Sequence, residues 1–226
     1  RKMDIGNSDI GNAVNQKEIY RYLGYGTQEP DASVCKLVDE VLSGLLAVIK
    51  PKNIYRWYDC STDGENVFVG NRKFASRNLS GNLAQCAVVA LLAATLGIEA
   101  DKLLQRYEVV NMAKASIAQA CAAACIEAYC NLIQEAIRLA AQEESGQPLF
   151  IRPRFSPGYG DLPLEAQKDI FCMLDCTKRI GLTLTQELLM YPTKSVTAFI
   201  GLTNNPQNCH IEKCKNCGKT DCAFRI

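Results

Sequence analysis

The sequence predicts an α+β fold in which a mainly antiparallel sheet packs with long helices. Apolar residues recur at helical spacing in several separate stretches, the longest running from residue 99 to about residue 144. Two strand-like stretches flank an Asp-Gly pair, which is a signal for a tight hairpin. Another strand-like stretch covers residues 192–201. Helices and strands therefore do not alternate regularly, as they would in a parallel α/β fold.

Length and composition indicate the domain organisation and argue against several classes of function. The 226 residues fit one domain, predicted over residues 1–205, followed by a cysteine-rich tail over residues 206–226. The net charge of +1 gives no sign of a general nucleic-acid or anionic-membrane binder. No apolar run is expected to reach the roughly 18–20 residues of a membrane span. Twelve cysteines without an apolar signal-peptide core favour a reducing, cytoplasmic setting over a secreted one.

The first third of the chain predicts an arm, two helices and a hairpin. Residues 1–15 are polar and are expected to form a loosely held arm. A short helix is predicted over residues 16–23, with Gly24 as its stop. The next helix begins near Asp31 or Ser33 as N-cap and ends before Pro51. A strand over residues 54–60 then turns at residues 63–64 into a partner strand at residues 67–69.

The middle of the chain predicts two apolar helices, over residues 83–96 and residues 99–144. The aromatic pair Trp57 and Tyr58 precedes them and is read as packing in the sheet, with a ligand site as the less common alternative. Three cysteines of the long helix, at positions 121, 125 and 130, lie near one face and are predicted to pack rather than to bind metal. A charged Glu127 in this small-residue stretch needs a partner, such as an arginine or a loop.

One loop carries most of the recognisable chemistry. It reads Arg154-Phe155-Ser156-Pro157-Gly158-Tyr159, after a helix break at residues 145–148. Pro157 and the preceding Pro153 keep the backbone extended, and Gly158 permits a tight turn or a close ligand approach. Arginine offers a fork for a carboxylate, and tyrosine offers a flat ring with a polar tip. Taken alone, such a loop is more often a surface turn than a ligand site. A helix over residues 163–179, a turn at residues 181–187 and the strand over residues 192–201 follow it.

This order of segments resembles the activation domain of cobalamin-dependent methionine synthase. That family carries an Arg-x-x-Pro-Gly-Tyr loop, a helix, a Gly-x-x-Leu-Thr-Glu-like turn and a Ser-Val-Ser-Gly-like strand, and the spacing agrees over about fifty residues of this chain. The stretch Lys17–Tyr25 resembles the start of short, stand-alone relatives. The run Glu127-Ala128-Tyr129, with Glu135 and Arg138 beyond it, is similar to the family's long helix.

The resemblance implies S-adenosylmethionine as ligand and assigns roles to the loop. Arg154 would take the ligand's carboxylate, and Tyr159 would lie against its sulfonium or ribose. The adenine edge would bond to the main chain of Ser156, Pro157 and Gly158. An acidic residue would hold the ligand's amino group, and Asp59 and Asp63 are the candidates. In agreement with this family, the chain lacks the Gly-x-Gly-x-x-Gly nucleotide fingerprint.

The tail adds a separate metal-binding signal. Four cysteines form a Cys-x4-Cys-x2-Cys-x4-Cys pattern at Cys209, Cys214, Cys217 and Cys222. Such a density of thiolates fits one metal centre better than free thiols. The pattern does not separate a zinc clip from a [4Fe–4S] cluster, and His210, the single histidine of the chain, could replace one cysteine. Compared with full-length methionine synthase, this tail is a departure.

The function implied by the resemblance is reductive reactivation of a corrinoid protein, with S-adenosylmethionine as methyl donor. The expected partners are a corrinoid (cobalamin) protein and a reductant or electron-transfer protein. The chain lacks the Asp-x-His-x-x-Gly motif that presents histidine to cobalt, so the corrinoid is expected to be held elsewhere. The alternative, from another class, is a non-catalytic protein-interaction module with a zinc-clipped tail.

Overall fold

The computed structural model of this chain describes residues 1–26 and 28–207. Its helices are α1 Asn7–Ala13, α2 Gln16–Tyr22, α3 Ala32–Val48, α4 Arg77–Asn82, α5 Ile98–Val110, α6 Met112–Ser145, α7 Ala166–Leu174 and α8 Cys176–Ile180. Its strands are β1 Lys52–Thr62, β2 Asn66–Val69, β3 Arg72–Ala75, β4 Val88–Thr95, β5 Phe150–Ile151, β6 Thr183–Leu184, β7 Met190–Tyr191 and β8 Ser195–Thr203.

An antiparallel sheet forms the middle layer, in the strand order β3-β2-β1-β4-β8-β5. One face is covered by α1, α2, α3, α5 and α6, and its core includes Tyr55, Leu92 and Ile200. The other face is covered by α4, α7 and α8, and its core includes Ile54, Leu91 and Phe199. This arrangement confirms the predicted α+β class.

The early elements follow the sequence closely. Helix α3 begins where predicted, because the Asp31 side chain accepts hydrogen bonds from the backbone N–H groups of Ser33 and Val34. The hairpin also forms as predicted, with Cys60 opposite Val69 in the β1–β2 register. Helix α6 ends at Gly146, which adopts the left-handed conformation that glycine permits.

The predicted helix over residues 83–96 is wrong, because most of this stretch is the strand β4. It pairs with β1 on one side and β8 on the other, so both neighbours satisfy its backbone groups. After Val88, every residue of β4 is buried, since helices cover both faces of the sheet here. A strand buried on both faces loses the alternation that distinguishes it from a buried helix.

Two predicted helices are each broken into two. The stretch over residues 99–144 is interrupted at Asn111, whose backbone is extended and whose side chain accepts from Lys114 N at 3.1 Å, so that it caps α6. The helix predicted over residues 163–179 is interrupted at Asp175, which has a left-handed φ of 54°. In both cases a residue suited to caps and turns ends one helix and starts the next.

The N-terminal segment is more ordered than predicted. Helix α1 lies within it, and its Ile10 is fully buried. The Asn7 side chain donates to the carbonyl oxygens of Leu46 and Ile49 at 2.8 and 3.0 Å. These two bonds satisfy carbonyls at the end of α3, which otherwise lack helical partners. The arm is therefore part of the helical layer.

Helix α6 contains an apolar stretch that is long enough to cross a membrane, contrary to the expectation from the sequence. Within the fold, 67% of that stretch is buried. It packs against β4, β8 and the other helices of its layer. Burial also raises the pKa of the Cys121, Cys125 and Cys130 thiols on this helix to about 12. The composition of α6 is therefore that of a core helix whose small residues allow close packing.

Candidate functional site

The loop that follows β5 is attached to the sheet. Phe155 and Phe199 exchange backbone hydrogen bonds of 3.0 and 2.8 Å, which extends the pairing along β8 beyond β5. The carbonyl of Pro153 accepts from the Asn82 side chain at 3.1 Å. The loop therefore starts from a fixed position beside the sheet and does not swing freely.

Two glycines shape the turn that comes next. Gly158 has a φ of 89°, and its N–H donates to Leu162 O at 2.9 Å. Gly160 has a φ of 55°, and a Cβ there would lie 2.4 Å from Asn78 Oδ1. A side chain at Gly160 would therefore strain the backbone and collide with α4.

Asp161 fastens the end of this turn to helix α4. Its carboxylate accepts from the Ser76 hydroxyl and from the N–H groups of Arg77 and Asn78, the latter two at 2.8 and 3.1 Å. In return, Asp161 N donates to Asn78 Oδ1 at 3.1 Å. The Ser76 hydrogen bond is the largest cause that lowers the pKa of Asp161. Sequence reasoning missed this residue, because its partners lie more than 80 positions away.

The Arg154 guanidinium is held by three side chains on one face of α6. It donates to Glu127 Oε2 and Asn131 Oδ1, both at 2.7 Å, and to Gln134 Oε1 at 2.9 Å. The spacing of four and three residues places these partners in a row along the helix. The Arg154 side chain is 16% exposed and that of Glu127 is 46% exposed. The partner that Glu127 needs is thus the loop arginine.

A cavity of about 380 Å³ opens beside this ion pair, and we call it the Arg154 cavity. Four of the five predicted ligand residues line it, namely Arg154, Ser156, Pro157 and Tyr159. The fifth, Gly158, forms the turn that presents them. The other lining residues are Glu127, Asn131, Gln134, Ile151, Pro153, Gln167, Met190, Ser195, Val196 and Thr197. The predicted loop, the long helix and the start of β8 therefore converge on one site.

Two buried polar groups in the cavity wall lack a hydrogen-bond partner in the part of the chain that the structure describes. Gln167 is 6% exposed and Thr197 is 1% exposed. Neither Gln167 Oε1 nor Thr197 Oγ1 has a hydrogen-bond partner among the described residues. An unpaired buried polar group is costly, so a polar group that enters the cavity and bonds to them would be stabilised.

Tyr159 stands at the mouth of the cavity. Its side chain is 60% exposed, and its ring meets Phe155 edge to face with 6.3 Å between the ring centres. Since Phe155 is bonded to β8, the tyrosine ring rests against a fixed support, and most of its surface is open to solvent.

The two predicted partners for an amino group lie elsewhere. Asp63 caps its own turn, where it accepts from Glu65 N at 3.0 Å and Asn66 N at 2.7 Å. Asp59 lines a different cavity, together with Trp57. Neither lines the Arg154 cavity, and the acidic side chain that does is Glu127. The sequence indicated that Glu127 needs a partner, because it is a charged residue in a helix of small residues. Its contact with the loop could not be predicted from the sequence.

The predicted metal ligands Cys209, Cys214, Cys217 and Cys222 lie outside the described residues. Within residues 1–26 and 28–207, no group of three or more potential ligands is placed to hold a metal ion. The cysteines in these ranges are free thiols.

Known proteins share the fold and the family profile of this chain. A search of curated protein sequences found no match. The crystal structure described as the MetH reactivation domain bound to AdoHcy is similar in fold, with a TM-score of 0.69 and 17% sequence identity. The similarity covers 89% of this chain and 77% of that one. Residues 78–225, more than half of the chain, match the family profile described as vitamin B12 dependent methionine synthase, activation domain. The chain belongs to this activation-domain family.

Proposed function

We propose that this chain binds S-adenosylmethionine in the Arg154 cavity and supplies its methyl group for the reductive reactivation of a corrinoid protein. Family membership supports a role in activation. The similar crystal structure is described with AdoHcy, the product that remains after S-adenosylmethionine has lost its methyl group. Beyond family membership, we propose the ligand of this chain, the residues that bind it and the corrinoid protein as partner.

The observation that carries the proposal is the ion pair between Arg154 and Glu127 beside the cavity. An α-amino acid presents a carboxylate and an ammonium on one carbon, which are the charges complementary to this pair. We infer that the ligand's carboxylate takes the arginine fork while its ammonium takes the Glu127 carboxylate. Asn131 and Gln134 keep the guanidinium in place during this exchange of partners.

The remainder of the cavity suits the rest of the ligand. Tyr159 offers its open ring face to the sulfonium or the ribose, where a cation is attracted by the aromatic ring. Main-chain groups of residues 156–158 are available to the adenine edge. Gln167 and Thr197 supply unpaired polar groups on the buried wall. A volume of about 380 Å³ lies within the usual range for small-molecule sites.

The proposed reaction transfers one methyl group to a partner's cobalt. One electron from the reductant converts Co(II) to Co(I). The electron pair of Co(I) then forms the bond to the methyl carbon while the carbon–sulfur bond breaks, which leaves methyl-Co(III) and neutral S-adenosylhomocysteine. The part played by this chain is to bind the donor and to orient its methyl group toward the mouth of the cavity.

We place the corrinoid outside this chain. The sequence has no Asp-x-His-x-x-Gly motif, and its single histidine lies among the tail cysteines. Docking is expected to be transient, since the corrinoid protein must return to its own methyl-transfer cycle, so a modest interface suffices. The free thiols of the described ranges suit a reducing cytoplasm, where both partners would be found.

The test combines this protein, S-adenosylmethionine, a one-electron reductant and a Co(II) corrinoid protein from the same source. The visible spectrum of methyl-cobalt is expected only when all four are present. An Arg154→Ala variant should slow its appearance at low donor concentration, and Arg77→Ala, an exposed arginine paired with Glu65 away from the cavity, should not. Methylation without this protein, or stoichiometric cobalamin in the protein purified alone, would contradict the proposal.

We further propose that residues 206–226 form a separate tail that binds one metal centre through Cys209, Cys214, Cys217 and Cys222. The support is their spacing in the sequence. Metal analysis and a visible spectrum of anaerobically purified protein are the test. Iron with broad visible absorbance indicates a cluster that relays electrons, and zinc alone indicates a structural clip. A metal-free protein with four reactive tail thiols would rule the centre out.

A further inference from the structure

A second cavity, of about 720 Å³, lies between the end of α6 and the sheet, and we call it the Trp57 cavity. Its lining includes Trp57, Asp59, Val88, Ala141, Glu144 and Leu202. It shares no lining residue with the Arg154 cavity. Its size is typical of small-molecule sites, and its lining combines apolar and polar side chains.

The floor of this cavity is one row of side chains across three strands. Asp59 pairs with Val88, and Val88 pairs with Leu202. Directly paired residues in an antiparallel sheet point to the same face, and residues two apart along a strand do so as well. Trp57 therefore stands on the same face as Asp59, one step along β1.

Helix α6 leaves part of this row uncovered, because Asp59 and Val88 are exposed whereas Leu202 is buried. The helix ends at Ser145, and the chain turns away at Gly146. As a result, Val88 is 36% exposed, although every later residue of β4 is buried. An apolar floor is thus open at the end of a core strand, with an indole on one side and a carboxylate at the rim.

The two carboxylates that line the cavity, those of Glu144 and Asp59, differ in whether they have an ion-pair partner. Glu144 pairs with Arg1, so its charge is neutralised. Asp59 has no hydrogen bond or ion pair with its side chain among the described residues, and none of the described lining residues is a lysine or an arginine. An anionic ligand would therefore be repelled, and a cationic one would be attracted.

Trp57 contributes an unpaired N–H donor and an aromatic ring to the cavity. Its Nε1 is buried and has no acceptor among the described residues, and an indole N–H can only donate. Its ring already meets Tyr55 edge to face, with 5.4 Å between the ring centres, which fixes its orientation. Tryptophan is also the aromatic side chain that attracts cations most strongly.

We propose that the Trp57 cavity is a second binding site, for a small organic cation with an apolar body, such as a quaternary or protonated amine. The Asp59 carboxylate holds the positive charge, and the indole ring packs against the apolar body. The exposed Val88 side chain receives the remaining apolar surface. An oxygen on the ligand can accept from Trp57 Nε1. This site is independent of S-adenosylmethionine binding.

The experiment uses the intrinsic fluorescence of the full-length protein, because Trp57 is its single tryptophan. Choline is the probe, and its neutral carbon isostere is the comparison. We expect a saturable change in emission with choline and binding about tenfold weaker with the isostere. The Asp59→Asn variant should lose this preference for the cation, while its thermal unfolding stays close to that of the parent, since the side chain is exposed.

Two further variants locate the effect. Glu144→Gln removes a carboxylate that is paired with Arg1, so it should reduce the preference for choline less than Asp59→Asn does. Arg154→Ala and saturating S-adenosylhomocysteine should leave the choline response unchanged as well. The proposal is overturned if choline gives no saturable change, if the isostere binds equally well, if Asp59→Asn keeps the preference, or if S-adenosylhomocysteine competes with choline.

Discussion

The Arg154 cavity and the Trp57 cavity lie along the same long helix but differ in how their charges are held. Beside the first, Arg154 and Glu127 neutralise each other, and two amide side chains hold the arginine. In the second, the Asp59 carboxylate lies beside an apolar floor and has no hydrogen-bond or ion-pair partner within residues 1–26 and 28–207. The first is lined by groups that suit a molecule with both charges, whereas the second suits a molecule with a positive charge only.

The two cavities also differ in how they are built. The Arg154 cavity depends on a loop that is fastened at Phe155 to β8 and at Asp161 to α4. The Trp57 cavity depends on strand register and on the point where α6 ends. A change in loop chemistry should therefore affect one cavity and spare the other.

The largest effect is expected from Arg154→Ala on S-adenosylhomocysteine binding. Loss of a charge-assisted contact to the ligand's carboxylate should cost roughly 1.5–3 kcal/mol of binding free energy. Calorimetry measures this loss directly. Arg77→Ala serves as the matched control, because that arginine is exposed and paired outside the cavity. Equal affinities for parent and Arg154→Ala would remove the arginine from the site.

A smaller effect is expected from Glu127→Gln, about fivefold in affinity, since this carboxylate is nearly half exposed and screened by water. The comparison ligand is the deaminated analogue of S-adenosylhomocysteine. If Glu127 holds the ammonium, the parent protein prefers the amino-bearing ligand and the variant loses that preference. A variant that keeps the full preference would mean that another group binds the ammonium.

Asp161→Asn should weaken ligand binding because it loosens the attachment of the loop to α4. The loss should be smaller than that caused by Arg154→Ala or Glu127→Gln. The carboxylate accepts three hydrogen bonds, which hold its pKa below the ordinary value of 3.8. A carboxyl group whose pKa is lowered on folding stabilises the fold at pH values above its unfolded-state pKa. This stabilisation is lost as the pH falls through the folded-state pKa. Ligand affinity should therefore be steady down to about pH 5 and decline below about pH 4.

The control for Asp161 is Asp31→Asn, since Asp31 also caps a helix and also has a lowered pKa. That variant should lose some thermal stability and keep its ligand affinity, because Asp31 does not line the Arg154 cavity. If both variants lost affinity equally, the effect of Asp161 would be a general loss of stability.

The smallest effect on S-adenosylhomocysteine binding is expected from Asp59→Asn, which should change the affinity by less than about twofold. Asp59 lines the other cavity, and that ligand is a neutral sulfide without the sulfonium charge. Calorimetry at neutral pH is sufficient. A large loss of affinity would mean that the ligand occupies the Trp57 cavity.

Local sequence signals predicted the elements with clear caps and turns. The Asp31 cap, the hairpin after β1 and the glycine at the end of α6 each act within a few residues, so the sequence contains the whole signal. Strand β4 was missed because burial on both faces removes the alternation of apolar and polar residues that identifies a strand. The breaks at Asn111 and Asp175 were missed because apolar spacing continues across them.

The candidate site was predicted only in its loop. The residues that complete it come from distant positions, such as Glu127 on α6, Gln167 on α7 and Thr197 on β8. The anchor at Asp161 likewise depends on Ser76 and Asn78, which reach it only through the fold. Sequence patterns report local geometry, whereas these contacts depend on how the sheet and helices pack.

The most direct test of the central claim is calorimetric titration of the full-length protein with S-adenosylhomocysteine. We predict one binding site per chain, an affinity that falls at least about tenfold in Arg154→Ala, and no loss in Asp59→Asn. Absence of binding by the parent protein, or binding that survives Arg154→Ala and is lost in Asp59→Asn, would contradict the assignment of the methyl donor to the Arg154 cavity.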